Sequence, residues 1–190
     1  MEDKFALAKK AEDFAARWDE ELRPSLNDWF QIAWAREIPE LIPMDNRYPT
    51  LNLGAGNRQI GISEPLDLEH GWRAEEEDIP HEDSSVGGIW AHGFFEHLSP
   101  ETAIVILREC DRVLVPGCPL NIVVPHGMSE LWHEEIEHLS TWHEATIPNL
   151  FRNPYYQRGS EHNWGLSVHT IFMMGVVYRN LALMIQLKKD

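Results

Sequence analysis

Residues 51–69, LNLGAGNRQIGISEPLDLE, constrain this chain more than any other stretch, and they do so by length. A strand-like LNL runs into a turn carrying Gly54 and Gly56, and only eight residues separate Gly56 from Pro65, where a second strand-like segment, PLDLE, begins. A parallel crossover that includes its helix needs at least about 10–12 residues. The helix that would follow such a turn is therefore absent or cut to a single turn. With it goes the positive dipole end that would hold a diphosphate. Glycine permits positive φ and lets a ligand lie against bare backbone. Alone, the glycine pair fits a ligand-free strand–loop corner as well as a ligand turn. The third glycine of a dinucleotide fingerprint is missing, because Arg58, Gln59 and Ile60 follow. What remains suits a nucleoside-like ligand without phosphate.

The rest of the chain supplies the frame. Leu7, Ala11, Phe14, Ala15, Trp18 and Leu22 recur at helical spacing over residues 3–22. Pro24 breaks that helix, and Ser25 with Asp28 opens a second one bearing Trp29, Phe30 and Trp34. From Tyr48 the period changes. TLNLG, PLDLE and VGGIWAH read as strands. SPETAIVILRECDRVL reads as a helix with Ser99 as N-cap and Pro100 at its first position, stopped by Pro116-Gly117. PLNIVVP is the apolar run of a strand buried on both faces. A helix is expected near 143–151, and HTIFMMGVVYR and LALMIQLKK close the chain as antiparallel strands joined tightly at Asn180. This is an α/β sandwich with a mostly parallel sheet, an antiparallel C-terminal hairpin and a shortened first half. Residues 1–44 form a helical extension of the same unit as 45–190. Trp18, Trp29 and Trp34 in that extension are expected to cover the uncovered sheet face or cap the ligand cavity, the alternative being a homodimer interface.

Charge narrows the partners. A formal net charge of −15 over 190 residues, with Lys and Arg scattered, disfavours a nucleic-acid substrate. No apolar run reaches the roughly 18 residues of a membrane span. MEDKFALAKKAEDF has charges throughout and no apolar signal core, so the cytoplasm is the expected location. Cys110 and Cys118 are too few for a disulfide framework and read as buried apolar residues.

Around the glycine turn the candidates accumulate. Asp67 ends the second strand, positioned to accept from ribose hydroxyls. Asp78 offers a carboxylate for an adenine amino group, and Ile79 a side chain for the ring and an N–H. IWAHGFFEHL ends a strand at His92, and its loop borders the ligand at the C-terminal edge of the sheet.

The ordered set LNLGAGN, PLDLE, DIPHEDSSVGGIWAHGFFEHL and ILRECDRVLVPGCPLNIVVPH resembles the class I S-adenosylmethionine (SAM)-dependent methyltransferases, of the methyltransferase-11-like group. The resemblance spans roughly residues 48–126 and implies a Rossmann-like three-layer sandwich. It implies SAM as cofactor, with Gly54, Ala55 and Gly56 passing under its methionine part and ribose. Asp67 would bind the ribose hydroxyls with Leu68 packing nearby, Asp78 and Ile79 would contact adenine, and Ala91, His92 and Gly93 would line the other side. Asn52 stands where the family usually has an acid, Gly88 replaces another frequent acid, and Cys118 replaces a glycine. Asn52 still offers a hydrogen bond to the SAM amine or a backbone amide.

Methyl transfer from a sulfonium relies on alignment and water exclusion, and needs a base only when the acceptor must lose a proton. The base candidates are His126, at the end of VVP, and His138, which with Trp142 best matches the His–aromatic feature of similar methyltransferases. His133 and His138 stand five apart and do not share a helical face, so solvated surface histidines and no bound metal are expected. The acceptor is expected to be a small molecule or a protein. A catalytically silent SAM-fold scaffold is the rival reading.

Overall fold

The computed structural model describes residues 40–57, 60–152, 164–174 and 181–190. The two expected N-terminal helices, and the join at Asn180, lie outside the described residues. The strands are β1 (Thr50–Leu53), β2 (Glu64–Leu66), β3 (Gly88–His92), β4 (Pro119–Pro125), β5 (Leu166–Met174) and β6 (Ala182–Lys189). They form one six-stranded sheet in the order β2-β1-β3-β4-β6-β5. The first four strands pair in parallel, and β6 is antiparallel to both β4 and β5. The helices are α1 (Pro100–Val113), α2 (Glu130–Glu134) and α3 (Thr146–Arg152), with a 3₁₀ turn at Phe95–His97. Among the described residues no helix is long and apolar enough to cross a membrane.

The first crossover is as short as its sequence requires. Its described residues between β1 and β2 form turns, with no helix. β2 ends at Leu66, three residues earlier than PLDLE suggests. The cause is Asp67, whose carbonyl accepts from His70 N–H (3.2 Å) and Trp72 N–H (2.9 Å) and so bends the chain out of the sheet. β3 likewise starts at Gly88, because Val86 bridges Leu114 instead.

α1 carries the main core. Ser99 caps it by accepting from Thr102 N–H at 3.1 Å. Ala103, Ile106, Leu107, Cys110 and Val113 follow the helical stripe and are buried against Leu53, Ile89, Ile122 and Ile185 of the sheet. Each fully buried Leu or Ile contributes about 1.5–3 kcal/mol. The helix ends at Val113, before Pro116, because Leu114 turns extended and Val115 donates to the Val86 carbonyl at 2.9 Å. Both cysteines are buried, as expected, and burial pushes the Cys110 thiol upward.

Among the described residues, the cluster packed on the opposite face of the sheet is smaller and more polar. Trp90, Val123 and Met184 pack there with Leu41, Met44 and Phe172. Met44 explains Gly88: a Cβ on Gly88 would stand 2.7 Å from Met44 Cγ. Buried Thr50, Asn52, Asn121 and Gln186 share this face by strand alternation. Gln186 ties the covering segment down. Its Oε1 accepts from Ile42 N–H at 2.8 Å, and its Nε2 donates to the Ile42 carbonyl at 3.0 Å and to Asn121 Oδ1 at 2.8 Å.

Replacing Gln186 with Leu removes all three bonds and leaves the half-buried Ile42 backbone groups and the buried Asn121 amide without these partners. A loss of about 2–4 kcal/mol in urea unfolding is expected, against under about 0.5 kcal/mol for an exposed control such as Glu101→Gln.

Candidate functional site

β1 lies between β2 and β3, so the loops leaving the C-terminal ends of these strands diverge and open a crevice there. A cavity of about 300 Å³ occupies it. Gly54 and Gly56 form one wall, Asp67, Leu68 and Trp72 a second, and Gly93, Phe94 and His97 a third.

The corner between β1 and β2 is closed by one carboxylate. Asp67 Oδ2 accepts the Gly56 N–H in a very short hydrogen bond. Its Oδ1 accepts His70 N–H at 2.9 Å and faces His70 Nδ1 at 2.8 Å. Gly54 N–H donates to the Leu66 carbonyl at 2.8 Å, extending the β1–β2 pairing into the turn. Burial alone would raise the Asp67 carboxyl; the His70 side chain, with the His70 and Gly56 N–H groups, outweighs it and holds Asp67 below its ordinary value.

The glycines of the turn serve different needs. Both have positive φ, +65° at Gly54 and +50° at Gly56. A Cβ on Gly54 would come within 2.6 Å of Phe94 Cδ2, whereas a Cβ on Gly56 would meet nothing within 4 Å. The Phe94 ring thus lies directly against Gly54, and the free approach expected along the whole turn exists at Gly56. Phe94 in turn meets Trp72 at a tilt (6.2 Å between centroids) and Phe95 edge-to-face (5.4 Å).

The cavity is acidic. Asp67, Glu69 and Glu75 line it, and among its described lining residues there is no Lys or Arg. A cation is favoured there and a diphosphate is opposed.

The remaining sequence candidates fall around the cavity. Leu68 is on its wall and 65% exposed. Asn52 and Ala55 are buried, Asn52 on the second sheet face. Ala91 is in the main core and His92 is buried at the end of β3; the wall begins one residue later, at Gly93. Asp78 is exposed, and its carbonyl accepts from Trp72 Nε1 at 3.1 Å. Ile79 is in the core, and its N–H donates to Glu109 Oε2 at 3.0 Å instead of facing a ligand. Arg112 fixes that loop, with Nη2 donating to the Ile79 carbonyl (3.0 Å) and Nη1 to the His81 carbonyl (2.8 Å). Side-chain pairing with Arg112, above all, holds Glu109 below its ordinary value. Trp72, Phe94 and His97 were missed by sequence reasoning. FFEHL carries a signal for Phe94 and His97, an aromatic and an imidazole just past a strand end, whereas nothing local marks Trp72.

The two base candidates part company. His126 is 1% exposed, and its Nδ1 accepts Met128 N–H at 3.0 Å. The ring proton is therefore on Nε2, which faces Glu144 Oε2 at 3.2 Å. Both nitrogens are engaged in holding the loop, and His126 is not on the cavity wall. His138 is no solvated surface histidine: its side chain is 3% exposed. Its Nδ1 meets the Trp132 carbonyl at 2.9 Å, and its ring lies 4.8 Å from that of cavity-lining His97.

No known family profile matches the chain, and no curated protein matches it in sequence. Solved structures do match. A candidate methyltransferase of Haloferax volcanii, in complex with the Trm112 methyltransferase activator, aligns with TM-score 0.55 and 16% identity over 97% of both chains. A SAM-dependent methyltransferase of Archaeoglobus fulgidus gives 0.54 and 14% over 97% of this chain and 99% of that one. A SAM-dependent methyltransferase of Thermotoga maritima gives 0.50 and 15% over 98% and 100%. The chain has the Rossmann-like fold of class I SAM-dependent methyltransferases.

Gly54→Ala is expected to cost about 2–4 kcal/mol, combining left-handed backbone strain with the Phe94 clash. Adding Phe94→Ala should relieve the clash part, so the double variant's loss in urea unfolding falls below the sum of the singles. Asp67 gives a pH signature. Its folded value is lowered, so its contribution is present above the ordinary 3.8 and fades as the pH falls through the lowered value. The urea midpoint of Asp67→Asn should therefore fall less than that of the wild type between about pH 5 and pH 3.

Proposed function

We propose that the chain is a SAM-dependent methyltransferase that binds its cofactor in the cavity at the ends of β1, β2 and β3. The observation that supports this most is the charge of the cavity wall. Three carboxylates and no described Lys or Arg line it, and SAM carries a sulfonium and an ammonium but no phosphate. A volume of about 300 Å³ lies at the lower end of the range for ligand sites, roughly 300–1,000 Å³.

When bound, SAM supplies an electrophilic methyl group on a good leaving group. The chain's part is then to bind, align and keep water out. In this reading the turn at Gly54, Ala55 and Gly56 lies under the methionine part and ribose, the open space at Gly56 receiving the ligand. Asp67 retains an acceptor site on Oδ2 for a ribose hydroxyl, with Leu68 beside it. Trp72 and Phe94 offer aromatic faces to the cation. The contacts that the resemblance assigns to Asp78, Ile79, Ala91 and His92 pass to their neighbours Trp72, Ala74, Gly93 and Phe94. The imidazole on the cavity wall is His97, with the His138 ring 4.8 Å from it, while His126 orders the following loop. The acceptor is a small molecule or a protein, since the chain's net charge of −15 repels nucleic acid.

A specific observation favours a second reading, a silent scaffold of the same fold. Asp67 is already hydrogen-bonded to the chain, and Phe94 lies over Gly54.

Calorimetry in EDTA separates these readings. SAM and S-adenosylhomocysteine should bind and NAD should not, with Asp67→Ala weakening both adenosyl ligands at least about tenfold. Absence of binding by either overturns the enzyme reading. Binding with no transfer of labelled methyl to small-molecule or protein pools favours the scaffold.

A further inference from the structure

We propose that Glu96, His97 and His138 bind a divalent transition-metal ion, of zinc type, at the edge of the cavity. Their ligand atoms lie within 4.8 Å of one another. Two imidazoles and a carboxylate suit zinc, iron or nickel better than magnesium or calcium.

Three observations carry this. The first is the tautomer of His138. The Trp132 carbonyl only accepts, so the contact at 2.9 Å places a proton on Nδ1, and in the neutral ring Nε2 is then the nitrogen that carries the lone pair. Metal-ligating histidines are set up in this way, with the far nitrogen donating to a backbone carbonyl. The second is what Nε2 faces. Glu135 Oε2 stands 3.6 Å from it, and Glu96 belongs to the same cluster at 1% exposure. A lone pair facing carboxylates becomes attractive when a cation lies between them.

The third is that the two segments are fastened to each other. The Glu96 carbonyl accepts from Leu139 N–H (2.7 Å) and Ser140 N–H (3.1 Å). Ser140 Oγ donates to the Phe95 carbonyl at 2.8 Å, and Trp132 Nε1 donates to the Ser140 carbonyl at 3.1 Å. The ligands are thus held by a built framework and not by two loose loops. A tetrahedral zinc spaces its ligand atoms by about 3.4 Å, so closing the site takes side-chain shifts of about 1 Å.

The other His/Glu cluster, His126, His143 and Glu144, serves as the contrast. There Nδ1 accepts Met128 N–H, so Nε2 carries the proton and is a donor to Glu144 and no ligand. Equal residue types give opposite outcomes because the backbone sets opposite tautomers. His97 lines the cavity, so a metal held there would border whatever acceptor enters.

Metal binding is measured without cofactor, so it stands or falls separately from the methyltransferase reading. The chelator-treated chain is titrated with Co²⁺ and its visible absorption followed, then Zn²⁺ is added in competition. We expect one saturating equivalent of Co²⁺, displaced by Zn²⁺ but not by millimolar Mg²⁺. His97→Gln and His138→Gln should each weaken binding at least tenfold, and His143→Gln should leave it within twofold. His97 is on the cavity wall, so its variant, checked by circular dichroism, decides the matter even where the buried His138 variant fails to fold. No saturable absorption in the wild type, displacement by Mg²⁺ as readily as by Zn²⁺, or His97→Gln binding like the wild type would overturn the proposal.

Discussion

The carboxylate of Asp67 is the fastening on which the first half of the fold depends. A crossover between parallel strands ordinarily carries a helix, which orders the loop by its own hydrogen bonds and packs on the sheet. Here the chain turns at once, and a side chain substitutes for that support. Asp67 takes the Gly56 N–H on one oxygen and His70 on the other. One group thus fixes the glycine turn, ends β2 and starts the segment that leads to Trp72. Neighbouring features follow: Gly54 can sit against Phe94, and the cavity between the three loops keeps its walls.

How much of this was legible depended on whether the signal was periodic. α1 and its cap, β4 and β6 follow from local pattern, and the structure places them within a few residues of the expected bounds; β5 starts three residues early, and its expected end lies outside the described residues. The missing helix was legible from chain length alone. The site was legible only to the level of the loops that form it. Gly54, Gly56, Asp67 and Leu68 reach the cavity because they flank strand ends, a position the sequence reveals. Ile79 does not, because Glu109, thirty residues away, captures its N–H. No spacing rule announces such a long-range hydrogen bond. Similarly, whether His126 or His138 presents a bare nitrogen depends on one backbone N–H or one carbonyl beside the ring.

The cavity and the histidine cluster share an electrostatic logic. The wall concentrates negative charge in a region partly screened from water, where a cation is held more firmly than at an open surface. Aromatic faces at Trp72 and Phe94 act in the same sense. The segment 138–140 then brings the His138 imidazole against the same loop, after β3, that forms the third wall. The shortened first half thus still leaves polar side chains concentrated on the loops that follow β2, β3 and β4.

The polar seam on the second sheet face has a consequence of a different kind. Asn121 and Gln186 are directly opposed across β4 and β6, and Gln186 also reaches Ile42. Side chains alternate between sheet faces, so a slip of β6 by one residue would turn Ile185 or Leu187 toward Asn121 and leave its amide dry and unmatched. Apolar residues alone tolerate such slips, because one branched side chain fills space much like another. A single buried amide pair does not. It works as a key to the register of the returning strand, making the correct alignment of β6 distinguishable from its neighbours.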